Sequence, residues 1–210
     1  MPNFLESSSK LEAKAILTKD GTQSRVYIDN ENNFVQAYYH RYLSGKTKFD
    51  YESAYHLRHL KQVFYCNKIL MTLFPNSFRE WSFAGVNSNS EFGSKRKKVN
   101  GKEVYTNYDT LLAIKGLFDS HGLEFSMDFY DGNVIEDENK SQKYVDEVPK
   151  FMGDEKDVEK LQKLANFVFA DLNEDQRKIR LAQIKKWSER ILEIRKEEYE
   201  IKEEKIILKR

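Results

Sequence analysis

Apolar residues recur along this chain with two different periods, and the switches between them outline its elements. Three short β-prone runs, at residues 13–17, 25–29 and 34–39, are separated by Asp20-Gly21 and by the polar stretch 29–33, both turn-forming. They predict a three-stranded antiparallel meander. After Asp50, which can cap a helix, Tyr51, Ala54, Leu57, Leu60, Phe64, Ile69 and Leu73 fall at helical spacing until Pro75, predicting a long amphipathic helix over 50–74. Residues 79–86 read as a strand. A glycine-, serine- and lysine-rich stretch over 87–101 leads to another β-prone run at 103–106, so a hairpin with a long exposed loop is expected. Helical periodicity returns over 108–120 through Leu111, Leu112, Ile114, Leu117 and Phe118, and His121-Gly122 ends it.

Past that stop lie SMDFYDGNVI and KYVDEV, and the run between them reads as a β-hairpin, with turn chemistry at Asp131-Gly132 and at 137–139. Two helices are expected afterwards, one from 157 to about 172 and one beginning at an Asn173 cap with Gln176 three residues on. The last helix carries a stripe of Leu181, Ile184, Trp187, Ile191, Ile194 and Ile201 amid dense Lys, Arg and Glu. A coiled coil has a similar pattern. Because Glu198 interrupts the heptad and few heptads are sustained, the stripe is expected to pack on its own domain, with the final turns left for solvent or a partner.

Composition narrows the classes rather than choosing one. The 210 residues suffice for one ordinary domain or two small lobes, with residues 1–10 a polar, serine-rich lead-in. Lysine plus arginine (35) nearly cancels aspartate plus glutamate (34), so no global field draws the chain to nucleic acid or to an anionic membrane. The one dense basic cluster, KRKK at 95–98, reads as a solvated hairpin tip without the aromatic interleaving of a single-strand binder, and no nucleic-acid partner is expected. A single cysteine, Cys66, excludes an intramolecular disulfide and a multi-cysteine zinc site and fits a reducing compartment. His56 and His59 stand one helical turn apart with no third ligand near them in sequence. The N-terminus has no apolar h-region and no stretch approaches the roughly 20 apolar residues of a membrane helix, so a cytoplasmic protein is expected.

Candidate chemistry concentrates in Asp128, Asn133 and Asp146, spaced by five and then thirteen positions across the expected hairpin. Two carboxylates and an amide in this order supply hard oxygen donors for a divalent cation and a carboxylate to orient a hydroxyl. Glu124 stands close before Asp128 as a second acid–base candidate.

The order of β-rich segment, long helix, more strand, linker, helix, Asp-x4-Asn loop, hairpin and terminal Asp resembles the protein-kinase-like fold, including its short aminoglycoside, lipopolysaccharide-core and RIO-type members. The resemblance covers roughly residues 13–195. It implies an α+β, two-lobed molecule: a β-rich N-terminal lobe with the long helix at 11–106, and a mainly helical C-terminal lobe at 107–210. Asp128 would then take the place of the HRD aspartate that accepts or orients the substrate hydroxyl. Asn133 and Asp146 would hold Mg²⁺ against the phosphates of ATP, with Gly21 and Val26 in the nucleotide loop and the strand after it. A phosphotransferase acting on a small molecule or protein is what this implies. Departures from the pattern are several. GTQSRVY has one glycine, Tyr39 stands where the phosphate-binding lysine is expected, and the partner glutamate is at best Glu52 near the helix start. Ser126 replaces the histidine of HRD, Asp146-Glu147-Val148 replaces DFG, and no APE-like segment follows. These losses leave a second expectation open, a non-catalytic pseudokinase that works as a protein-interaction scaffold.

Overall fold

The computed structural model describes residues 16–20, 24–28, 33–38, 51–86, 92–129, 132–146 and 148–208. Over these it is an α+β protein of four helices and two small antiparallel sheets. The chain divides into two compact units, Met1–Phe64 with Glu80–Lys98, and Tyr65–Arg79 with Val99–Arg210.

The first unit holds a five-stranded sheet. Strands β1 (Ile16–Asp20), β2 (Ser24–Ile28) and β3 (Asn33–Tyr38) form the expected meander, with Val26 paired to Gln36. Helix α1 (Tyr51–Leu73) follows, its residues to Phe64 counted in this unit, and then β4 (Trp81–Val86) and β5 (Phe92–Lys97) complete the sheet in the order β1-β2-β3-β5-β4. The expected Asp50 cap lies outside the described residues.

Strand β5 corrects the reading of 87–101 as an exposed loop with KRKK at its tip. Residues 92–97 form a central strand, and its neighbours are β3 and β4 rather than the run at 103–106. Lys95 and Arg96 are 7% and 4% exposed. Long aliphatic stems make this possible, because they pack like apolar chains while the charged end finds a partner. The Arg96 guanidinium lies 4.0 Å from the centre of the Trp81 ring, across the β4–β5 ladder, and its Nε donates to Ser94 Oγ at 3.0 Å.

The second unit begins with the rest of α1, where Cys66, Ile69, Leu70 and Leu73 are buried, and Pro75 ends the helix because it has no N–H to continue the ladder. Strand β6 (Lys102–Glu103) is shorter than expected and pairs with β7 (Val134–Glu136), which pairs in turn with β8 (Gln142–Tyr144). A Cβ on Gly101 would stand 2.1 Å from the Glu136 carbonyl oxygen, so only glycine lets this segment lie so close to β7.

Helix α2 (Asp109–Ser120) buries Leu111, Ile114 and Phe118. Helix α3 (Glu155–Val168) starts two residues before the expected 157 and ends four before 172. Asp154 caps it, accepting from the Asp157 N–H at 3.1 Å while the Asp157 carboxylate accepts from the Asp154 N–H, so Asp157 completes the box instead of opening the helix. Asn173 caps α4 (Glu174–Leu208) as expected, accepting from the Gln176 N–H at 2.9 Å. The stripe on α4 packs within this unit: Ile184, Ile191 and Ile194 are buried, and Trp187 stacks on Tyr65 with centroids 5.6 Å apart. No helix among the described residues is long and apolar enough to cross a membrane.

Candidate functional site around Asp128

Asp128 is delivered by a helix stop, an extended segment and a hairpin, all in the second unit. Gly122 ends α2 at φ 71°, with its N–H on Asp119 O and the Leu123 N–H on Phe118 O, both at 3.0 Å. That pair of bonds is the Schellman arrangement, and it requires a residue at ease with positive φ. From there burial alternates residue by residue. Leu123, Phe125 and Met127 are buried, whereas Glu124, Ser126 and Asp128 are exposed. This is the period-2 pattern of an extended segment with one face on a core.

The inward face is anchored in an aromatic cluster. Phe125 stacks on Phe118 at 4.3 Å between centroids and meets Phe151 edge-on at 5.7 Å and Phe78 at 6.3 Å. Phe78 meets Tyr144 edge-on at 6.5 Å and joins it as a β-bridge, so the cluster continues into β8. On the far side of Asp128, Phe129 stacks on Tyr108 at 4.8 Å. With both flanking stretches packed, the outward direction of Asp128 is fixed by the pleat. The same pleat removes Glu124 as an acid–base partner. At about 3.3 Å per residue, four residues of extended chain separate the two by roughly 13 Å, too far to share a proton.

Three hydrogen bonds then gather the backbones of the candidate residues. The Asn133 amide nitrogen donates to the Asp128 carbonyl oxygen at 3.0 Å, the Val145 N–H donates to the Asn133 carbonyl oxygen at 2.9 Å, and the Asp128 N–H donates to the Tyr144 hydroxyl at 3.3 Å. A closed ring results, running 128–133–145–144 and back. Asn133 immediately precedes β7, and Asp146 follows Val145, so both stand at one end of the β7–β8 hairpin. With its nitrogen engaged, Asn133 leaves its side-chain oxygen as a hard donor. The Asp146 carboxylate makes no hydrogen bond or ion pair among the described residues.

The other end of the hairpin is an Asx-type turn, as the sequence at 137–139 predicts. Asp137 Oδ1 accepts from the N–H groups of Asn139 and Ser141 at 2.9 and 3.0 Å, and Lys143 lies 3.5 Å from its other oxygen. These contacts, the Ser141 N–H foremost, hold its carboxyl below the usual carboxylate range.

Of the remaining expectations, Gly21 lies outside the described residues, and Val26 is in β2 of the first unit. Tyr39 and the side chain of Glu52 are also outside them. Among the described residues no three His, Cys, Asp or Glu side chains gather as a metal set. A pocket of about 400 Å³ lies elsewhere in the second unit, where the start of α3 meets Leu192 and Arg195 of α4, with Lys196 and Glu155 3.8 Å apart at its edge. Sequence reasoning did not find the roles of Tyr144 and Tyr108. Each acts through a hydroxyl or ring contact sixteen or more residues away, which no local pattern signals.

No family model matches the chain, and no curated protein matches it.

Proposed function

We propose that this chain is a divergent member of the protein-kinase-like class that binds ATP with Mg²⁺ and transfers the γ-phosphoryl group to a hydroxyl of a small molecule or protein. The observation that carries the reading is the hydrogen-bonded ring joining Asp128, Asn133 and Val145, with Asp146 next in the chain. It ties together Asp128 and Asn133, to which the resemblance assigns catalysis and metal binding, one residue from Asp146. The element order supports the same reading in outline: three strands, a long helix, two strands, the short β6, a helix, the Asp128 segment, a hairpin and helices.

In this reading Asn133 and Asp146 would hold the cation through oxygen. Two protein oxygens fit Mg²⁺, which keeps several waters and takes its other ligands from nucleotide phosphates. Bound there, the ion would supply neutralisation of charge on the phosphates. Asp128 orients the acceptor hydroxyl and takes its proton. The new bond forms between that oxygen and the γ-phosphorus, the bond from the γ-phosphorus to the bridging oxygen breaks, and ADP leaves. The side chain at 128 needs outward exposure for this role, which the alternating burial of 123–128 provides.

A second reading is favoured by a different observation, the single glycine of GTQSRVY and Tyr39 in the lysine position. It is a pseudokinase that keeps the loop as architecture and serves as an interaction scaffold through α4. The basic run is a poor surface for that role, because Lys95 and Arg96 are buried.

Calorimetric titration of ATP with and without Mg²⁺, on the wild type and on Asp146→Ala, tests the proposal. Mg²⁺-dependent binding that weakens at least about tenfold in the variant is expected, the scale at which disturbing a metal site usually shows. No binding at millimolar nucleotide would remove the phosphotransferase reading. Binding with no phosphate transfer to any hydroxyl acceptor would favour the scaffold.

A further inference from the structure

We infer that Tyr144 is a positioning residue for Asp128, its hydroxyl setting the aim of a carboxylate that it does not itself touch. The functional consequence rests on the proposed kinase-like reading, but the contact stands on geometry alone. Tyr144 is 2% exposed and ends β8, two residues before Asp146. Its backbone is doubly tied, with its N–H on Ser77 O at 2.9 Å and its carbonyl accepting from the Arg79 N–H at 3.0 Å. Its ring meets Phe78 edge-on. A side chain so anchored has little freedom left, and its hydroxyl is therefore a fixed point. That point accepts the Asp128 N–H at 3.3 Å.

The effect on Asp128 follows from which groups are held. Its carbonyl accepts from Asn133, and its N–H donates to Tyr144, so the peptide planes on both sides of its Cα are pinned. With both pinned, the Cα–Cβ direction is set, and the carboxylate is confined to its own rotamers. Asn133 alone would pin only the following plane. The preceding plane, between Met127 and Asp128, is the one whose N–H the Tyr144 hydroxyl accepts, and Met127 beside it is 8% exposed. A misplacement near 1 Å at a reacting group is enough to cost about two orders of magnitude in rate, so this bond matters to a base that must meet a hydroxyl.

Tyr144→Phe isolates the claim, since it keeps the ring in the core and removes one oxygen. The measurements are the ¹H–¹⁵N shift and hydrogen exchange of the Asp128 amide, with the Lys140 amide in the same hairpin as internal reference, and ATP kinetics. The Lys140 amide is bonded to Asp137 O at 3.0 Å and reports the hairpin itself. Expected are a shifted Asp128 amide that exchanges about fivefold faster, as the loss of one net hydrogen bond gives, and an unchanged Lys140 amide. With them should come a fall of about tenfold in kcat with KM for Mg²⁺-ATP unchanged. An Asp128 amide that neither shifts nor exchanges faster overturns the inference. So does equal acceleration at Asp128 and Lys140, which would make Tyr144 a packing residue only. Absence of Mg²⁺-ATP binding in the wild type would instead remove the kinase-like reading, and the amide measurement would still decide whether Tyr144 holds Asp128.

Discussion

Cys66 is 1% exposed on α1, and burial pushes its thiol up to about 12, against smaller opposing influences from a backbone hydrogen bond at Phe151 and the charges of Lys150 and Arg195. At neutral pH it is therefore a thiol, and a poor nucleophile, because the thiolate is the reactive form. Its alkylation by a small reagent at pH 8 should be immeasurably slow in the folded protein and should appear in step with unfolding across a urea series. Fast labelling without denaturant would contradict the burial. The same scale explains Lys95 and Arg96. Charge is usually a marker of exposure, yet a guanidinium over Trp81 and a long stem satisfy burial without removing the charge. Reading KRKK as a solvated tip failed because residue type reports polarity, while burial depends on which strands lie on either side.

At the scale of elements, helix boundaries were legible where a backbone rule applies. Pro75, Gly122 and Asn173 each act through a local constraint, a missing N–H, a positive φ or a side-chain acceptor, and each boundary stands where the sequence puts it. The start of α3 lies before the expected 157 because Asp157 closes a capping box from inside the helix, and the reciprocal bonds identify Asp154 as the cap. Asp154→Ala should lower stability by about 1 kcal/mol, the usual worth of an N-cap. Asp154→Ser should recover most of it, and both are read from urea midpoints; an unchanged midpoint for Asp154→Ala would mean the cap contributes nothing. Strand pairing was less legible than helix ends. The run at 103–106 was expected to pair with 79–86, whereas β6 pairs with β7 more than thirty residues on. A short polar strand has no pattern to announce its partner.

Across the whole molecule, two carboxylates link fold and pH. Asp137 and Asp157 both lie below the ordinary carboxylate range. For Asp157, burial is the largest influence and would raise it, but the Lys160 ammonium and the N–H groups of Gly153 and Asp154 outweigh burial together. A depressed folded-state pKa means stability that is present above the unfolded value, near 3.9, and is lost as pH falls through the folded one. The urea midpoint should therefore be flat from about pH 7 to about pH 5 and decline below about pH 4, with a shallower acid limb in Asp137→Asn. An acid limb identical to that of the wild type would mean that Asp137 carries no linkage. By itself the sequence determined what local chemistry dictates: the meander, the long helix, the helix stops and the hairpin between Asn133 and Asp146. Only tertiary structure decided that β5 is a central strand, that β6 joins β7, and that a tyrosine hydroxyl and an asparagine amide close around Asp128. Those outcomes are contacts between residues distant in sequence, and the free energy that selects them comes from packing partners that no short window of the chain contains.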